Sequence, residues 1–245
     1  MDCIMYRPNV FRMRGKEMHG IKVIGFDADD TLWDNLQHFL ETADRCCELL
    51  SEYAEKDVVQ AFLDQIEARN IGVFGYGTKS FTLSMIETAC EISEGEVRAR
   101  VIQKLIDFGK KQIQEPIQLI DGVEDVLKEL GKRYRLVVAT KGDLSEQGAK
   151  LERSGLVKYF HHVEVMSEKR VTDYEGLLKH LDIKPGEFMM VGNSLKSDVI
   201  PVLEMGGWGV HVPYHTTWVH EQVEGEVKYE KFREIEKVSD LLEIL

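Results

Sequence analysis

Short apolar runs, each followed by a helical pattern, recur along much of this 245-residue chain. Strands that alternate with helices pair in parallel through right-handed crossovers, so the pattern predicts an α/β fold with a doubly wound parallel sheet. The hydrophobic content of 43% is enough for a sizeable core. The predicted strands are residues 21–26, 135–139, 162–166, 188–191 and 208–212, and a last strand and helix are expected near the C-terminus.

One long segment breaks this alternation. It is predicted to contain helices at residues 36–54, 57–69, 79–92 and 94–113, with a glycine-rich bent loop at 71–77. Such an insertion is long enough to form its own small bundle. We therefore expect residues 21–35 and 115–245 to form the α/β core and residues 36–114 to form a helical cap, with short linkers that permit hinge motion.

The charge balance excludes some partners. Asp and Glu number 43 against 31 Lys and Arg, which gives a net charge of −12. Because so acidic a chain repels phosphate backbones, we expect no nucleic-acid partner. The chain also has no apolar run of the ~20 residues that a membrane span needs, so no membrane partner is expected. The sequence indicates no oligomeric state.

The N-terminal residues 1–20 carry four basic residues but no apolar stretch of the secretory kind. We expect this segment to be a disordered extension, unless translation begins at Met18. The four cysteines include no CxxC pair, which is typical of free thiols in a reducing compartment. Together these features predict a cytoplasmic protein.

The first predicted strand runs directly into a cluster of carboxylates that includes Asp27, Asp29 and Asp30. Negative charges gathered at the end of a buried strand are costly unless cations or hydrogen bonds offset them. A helix cap explains Asp30 or Asp34 adequately. The i, i+2 pair of Asp27 and Asp29 instead indicates a reaction centre.

Three other polar segments also follow predicted strands, and the carboxyl ends of parallel strands meet at one edge of the sheet. Their carboxylates, hydroxyls, amines and amide suit phosphoryl transfer, which needs a nucleophile, an acid/base group and oxygen ligands for Mg²⁺. The four segments are residues 27–31, 140–143, 167–169 and 192–198.

In order and in strand context, these segments resemble the four motifs of the haloacid dehalogenase-like hydrolase superfamily, and the helical insertion is similar to its C1-type cap. The resemblance covers roughly residues 20–212. It implies a Rossmann-like core with an inserted all-helical cap domain. It also implies a phosphatase that acts on a small phosphorylated molecule with Mg²⁺ as cofactor.

The resemblance also implies roles for individual residues. Asp27 would attack phosphorus and form an aspartyl-phosphate, and Asp29 would protonate the leaving oxygen and then activate water. Thr140 would bind a phosphoryl oxygen with help from the backbone at Lys141, and Lys169 would hold Asp27 and the phosphate together. The Lys141 side chain could contact either the substrate or solvent.

The metal site implied by the resemblance consists of the Asp27 carboxylate, the Asp29 carbonyl and the fourth segment. That segment departs from the family pattern, because Asn193 stands where the family usually has aspartate. An amide oxygen can bind Mg²⁺ but adds no charge. Asp198 could therefore contribute directly or through water.

Other functions stay open. A metal-free 2-haloacid dehalogenase is the nearest alternative, although Asp29 counts against it and Asn193 slightly favours it. A phosphomutase would differ only in the acceptor of the phosphoryl group. A non-catalytic binding protein with this fold would be expected to lack the nucleophile, the threonine or the lysine.

The stretch 72–79 is either a helix connection or a loop that reaches over the site.

Overall fold

The computed structural model describes residues 18–216, 221, 223 and 225–245. The predicted extension at residues 1–20 lies outside the described residues, except for 18–20. Within the described ranges, every helix is too short or too polar to serve as a membrane span.

The core of the molecule is a single parallel sheet, which has six strands in the described part of the chain. The strand order is β3-β2-β1-β4-β5-β6, so β1 lies in the middle and pairs with β2 and β4. The strands are β1 (Val23–Phe26), β2 (Arg135–Lys141), β3 (His162–Met166), β4 (Phe188–Gly192), β5 (Trp208–His211) and β6 (Phe232–Glu234). The predicted α/β fold is confirmed.

Both faces of the sheet are covered by apolar side chains, as the unbroken apolar runs of the strands require. Successive residues of a strand point to opposite faces. In β1, Ile24 and Phe26 join one buried cluster with Leu127, whereas Val23 joins a second cluster with Leu177. The core helices are α5 (Val123–Leu130), α6 (Leu144–Ser154), α7 (Val171–Leu181), α8 (Ile200–Glu204) and α9 (Leu241–Ile244).

Four helices lie between β1 and α5 and pack around a third buried cluster of their own. Leu63, Met85 and Leu105 are fully buried in this cluster, which gives the segment an apolar core separate from that of the sheet. The helices are α1 (Leu36–Leu49), α2 (Lys56–Phe74), α3 (Thr78–Ile92) and α4 (Ala99–Gln114). We call this segment, Leu36–Gln114, the helical insertion.

Some predicted boundaries within the helical insertion were wrong. The predicted bent loop at 71–77 is helical as far as Phe74, and α2 ends only where Gly75 adopts a left-handed φ of 76°. Glycine tolerates this conformation, whereas other residues are strained by it. The helix predicted from residue 94 begins at Ala99, and the one predicted to reach residue 54 ends at Leu49.

A core substitution tests the packing of the helical insertion. We expect Leu63→Ala to lower the free energy of unfolding by about 2–5 kcal/mol, because it opens a cavity at a fully buried position. The matched control is Leu40→Ala, whose side chain is exposed and whose effect should stay within about 0.5 kcal/mol. Urea denaturation followed by circular dichroism measures both. Equal effects at the two positions would contradict the packing described.

Candidate active site

The carboxyl ends of β1, β2 and β4 meet at one edge of the sheet because the strands are in register. Phe26, the last residue of β1, pairs with Val138 on one side and Val191 on the other. The next residue, Asp27, donates its backbone N–H to the carbonyl of Val191 at 2.9 Å. This hydrogen bond fixes the backbone of Asp27, the candidate nucleophile, between the second and fourth polar segments.

A buried ammonium lies at the centre of this edge. Lys169, in the loop between β3 and α7, binds the carboxylate of Asp27 and, at 2.6 Å, Oδ1 of Asp198. The other oxygen of Asp198 accepts the backbone N–H of Ser194 at 2.9 Å. This arrangement requires a glycine at 192, because a Cβ there would stand 2.2 Å from Asp198 Oδ2.

Two carboxylates share this one ammonium in a place from which water is largely excluded, so the cluster carries a net negative charge when both are ionised. Burial, and next the charge of Asp198, raise the pKa of Asp27 to about 7. Burial alone would lower the pKa of Lys169, but Asp198 and Asp27 together raise it. A further cation would therefore be stabilised here.

The side chain of Asp29 has other partners. Its carboxylate accepts hydrogen bonds from Trp33 Nε1 at 2.7 Å and Gln147 Nε2 at 2.8 Å, and it pairs with Lys150 Nζ at 2.9 Å. Burial alone would raise the pKa of Asp29, but Lys150 first and then the hydrogen bonds outweigh it and lower that pKa. In this arrangement Asp29 is a carboxylate, which is the form that accepts a proton.

The second segment belongs to β2 itself, which continues to Lys141 rather than ending at residue 139 as predicted. Thr140 is buried at the end of this strand. Lys141 Nζ lies 2.5 Å from Glu221 Oε1 and 2.9 Å from Ser197 Oγ, and the ring centre of Tyr76 lies 4.3 Å from it. Lys141 therefore contacts three protein groups, and its side chain is only 14% exposed.

Asn193 directly follows β4 and is tied to the first segment. Its backbone N–H donates to Thr31 Oγ1 at 3.1 Å, and the Thr31 hydroxyl donates to Asn193 Oδ1 at 3.3 Å. His211 Nε2 lies 3.1 Å from the Asn193 carbonyl oxygen. These contacts fix Asn193 beside β1, and among the described residues its amide oxygen accepts one long hydrogen bond.

The oxygen atoms near Asp27 fit Mg²⁺ in part. Among the described residues, no three His, Cys, Asp or Glu side chains gather as a metal group. The Asp27 carboxylate and the Asn193 amide contain hard oxygen atoms of the kind that Mg²⁺ binds, and Mg²⁺ commonly keeps several waters in addition. Both oxygens of Asp198 already accept hydrogen bonds, from Lys169 and from the backbone of Ser194. The site thus offers fewer anionic ligands than a cluster of three carboxylates would.

The helical insertion contacts the core through the turn that leads into α3. Glu146 of α6 accepts hydrogen bonds from the backbone and hydroxyl of Thr78, at 3.0 and 2.6 Å. Lys79 binds Asp143 at 2.9 Å, and the Tyr76 hydroxyl donates to Glu168 at 3.2 Å. Part of the stretch 72–79 therefore lies against the loops that carry the polar segments.

Residues of the site that were not identified from the sequence include Gln147, Lys150 and Glu221. Gln147 and Lys150 lie on the buried face of α6. The sequence feature that could have identified them is a polar side chain at a helix position that faces the core. No periodic pattern in the sequence around Glu221 marks it. Asp30 caps α1 as expected, since its carboxylate accepts the N–H groups of Asn35 and Leu36.

Comparison with known proteins agrees with this geometry. A structure from Xanthomonas campestris, a haloacid dehalogenase-like family hydrolase, is 38% identical, covers 92% of this chain and 91% of its own, and superposes with a TM-score of 0.81. Human N-acylneuraminate-9-phosphatase is 24% identical over 76% of this chain and 79% of its own length.

Phosphoglycolate phosphatase of Vibrio parahaemolyticus is 26% identical over 76% of this chain and 81% of its own length. Residues 21–206 match the family described as haloacid dehalogenase-like hydrolase. This match spans most of the chain, including all four polar segments. The chain therefore belongs to the haloacid dehalogenase-like hydrolase family.

Proposed function

We propose that this protein is a cytoplasmic, Mg²⁺-dependent phosphatase that hydrolyses a small phosphorylated metabolite through an aspartyl-phosphate. The observation that carries the proposal is the buried contact of Asp27 with Lys169 at the end of the central strand. A carboxylate held beside an ammonium can approach a phosphoryl group that also contacts the ammonium, because the cation offsets the repulsion between the two anions.

In the first step, an oxygen of Asp27 forms a bond to phosphorus and the bond to the leaving oxygen breaks. In the second step, Asp29 takes a proton from water as the water oxygen attacks phosphorus, which releases phosphate and regenerates Asp27. The carboxylate form of Asp29 suits this second step. To protonate a poor leaving group in the first step, Asp29 must take up a proton and separate from Lys150.

The proposed metal ligands are the carboxylate of Asp27, the backbone carbonyl of Asp29 and the amide oxygen of Asn193. Bound Mg²⁺ supplies positive charge that stabilises the phosphoryl oxygens during transfer. We propose that Asp198 acts through its contact with Lys169 instead of as a direct ligand, since Lys169 and Ser194 already occupy its oxygens. Thr140 and the backbone at Lys141 would bind the phosphoryl group.

The names of two relatives support a small phosphorylated substrate, because both name phosphate esters of organic acids. The contacts of the helical insertion with Asp143, Glu146 and Glu168 support a covering role of the C1-type cap, which would restrict access to compact molecules. A metal-free 2-haloacid dehalogenase is the second candidate, favoured by the uncharged Asn193. Turnover of chloroacetate without metal, together with inactivity on phosphate esters, would favour the dehalogenase over the phosphatase.

Removing the nucleophile tests the proposal directly. Asp27→Asn should lower kcat for p-nitrophenyl phosphate with Mg²⁺ by at least about a thousandfold, because an amide is a poor nucleophile. The control is Asp182→Asn, an exposed position with left-handed backbone that asparagine tolerates. Release of p-nitrophenol measures both. Unchanged turnover in the Asp27 variant would exclude the aspartyl-phosphate.

Removing the proton acceptor should separate the two chemical steps. With Asp29→Asn, a good leaving group still departs but the intermediate is hydrolysed slowly. We therefore expect a burst of about one equivalent of p-nitrophenol and a steady rate about a hundredfold lower. Rapid-quench kinetics measure the burst. Asp30→Asn, which keeps the cap of α1, is the control, and a steady rate equal to wild type in Asp29→Asn would contradict the assigned role.

The uncharged fourth segment leads to a prediction about the metal. Asn193→Asp adds an anionic ligand, so we expect the Mg²⁺ concentration for half-maximal activity to fall by about tenfold. Gln118→Glu adds the same charge at an exposed position and is the control. Metal titration of p-nitrophenyl phosphate turnover gives both values. An unchanged Mg²⁺ requirement in Asn193→Asp would remove residue 193 from the proposed ligand set.

A further inference from the structure

The carboxylate of Glu221 is held by three donors at the edge of the candidate active site. Lys141 Nζ binds Oε1 at 2.5 Å, Ser197 Oγ donates to Oε2 at 2.6 Å, and Ser194 Oγ also donates to Oε2. Burial alone would raise the pKa of Glu221, but Lys141 and the two hydroxyls lower it. Both oxygens of one carboxylate are therefore recognised by a cation and two hydroxyl groups.

This contact is largely removed from water. The side chains of Lys141 and Glu221 are 14% and 13% exposed. The ring of Tyr76, from the helical insertion, covers the ammonium at 4.3 Å. Removing one partner of an ion pair in such a place leaves an uncompensated charge, so a bare ammonium there would favour any carboxylate of suitable size.

The three donors lie directly beside the groups assigned to phosphoryl transfer. Lys141 follows Thr140 in β2, and Ser197 precedes Asp198. The backbone N–H of Ser194 binds Asp198, which in turn binds Lys169. Contacts through Asp198 and Lys169 thus connect this set of donors to Asp27.

The donors and the acceptor belong to different kinds of structure. Lys141 is the last residue of β2, and Ser194 and Ser197 belong to the π-helical turn that follows β4, with Ser194 as its N-cap. Glu221 instead lies on the connection between β5 and β6, outside any strand or α-helix. The donors thus lie at the ends of two strands of the sheet, whereas the acceptor belongs to a different part of the chain.

From these observations we propose that Lys141, Ser194 and Ser197 form a carboxylate subsite, which Glu221 fills in this structure. A carboxylate of the substrate would replace that of Glu221. The inference rests on the proposed phosphatase function and narrows its substrate class to phosphate esters that also carry a carboxylate. Exchange of one carboxylate for another leaves the number of ion pairs and hydrogen bonds at Lys141 unchanged.

Non-hydrolysable phosphonates test this subsite without turnover. Phosphonoacetate and 3-phosphonopropionate each have a partner of equal length that ends in methyl, namely ethylphosphonate and propylphosphonate. Isothermal titration calorimetry with the full chain and Mg²⁺ measures the four affinities. We expect at least one carboxylated compound to bind about tenfold more tightly than its alkyl partner, as a charged hydrogen bond implies.

Variants connect this preference to the named residues. Lys141→Met should abolish the preference for the carboxylated compound, and Lys158→Met, at an exposed lysine, should retain it. Glu221→Gln should tighten binding of the carboxylated compound several-fold, because the competing charge is removed. Glu226→Gln, at another exposed position, should change neither affinity. Circular dichroism shows whether each variant is folded.

Three results would overturn the subsite. Equal binding of carboxylated and alkyl phosphonates would do so, as would binding of none of the four. Weaker binding of both kinds in folded Glu221→Gln would mean that Glu221 permanently positions Lys141. Hydrolysis of p-nitrophenyl phosphate is measured in parallel, so that turnover with no carboxylate preference refutes the subsite alone, whereas absence of turnover refutes the phosphatase function.

Discussion

The buried ammonium of Lys169 is the interaction on which the rest of the site depends. It binds Asp27 at the end of β1 and Asp198 after β4, so one cation joins two strands that are adjacent in the sheet. Without it, two carboxylates would be left unpaired in a place with little water, which is strongly destabilising. Asp198 packs closely against Gly192 because the Asp198 carboxylate must reach Lys169.

The second organising feature is the contact between the helical insertion and the core. Glu146 and Lys150, on one face of α6, bind Thr78 of the insertion and Asp29 of the core, respectively. The same short helix therefore positions both the entry to α3 and the proposed proton acceptor. Displacement of the insertion would remove Glu146 from Thr78 and change the surroundings of Lys150, which lies 3.9 Å from Glu146.

Much of this site could be predicted from sequence because it lies at strand ends. Asp27, Thr140 and Asn193 follow from apolar runs whose register in a parallel sheet brings their ends together. The partners of those residues could not be predicted in the same way. Lys150 pairs with Asp29 across 121 residues, and nothing in the pattern of α6 says which carboxylate a buried lysine will meet.

The sequence by itself determined the order of strands and helices, and hence which polar segments share one edge of the sheet. Periodicity is a local property, so it determines elements and faces without reference to the rest of the chain. Only the tertiary structure decided the partners: Lys150 for Asp29, and Glu221 for Lys141 across 80 residues. Such pairs depend on distances of a few ångströms between side chains of different elements, which are set when the elements pack together and not by local pattern.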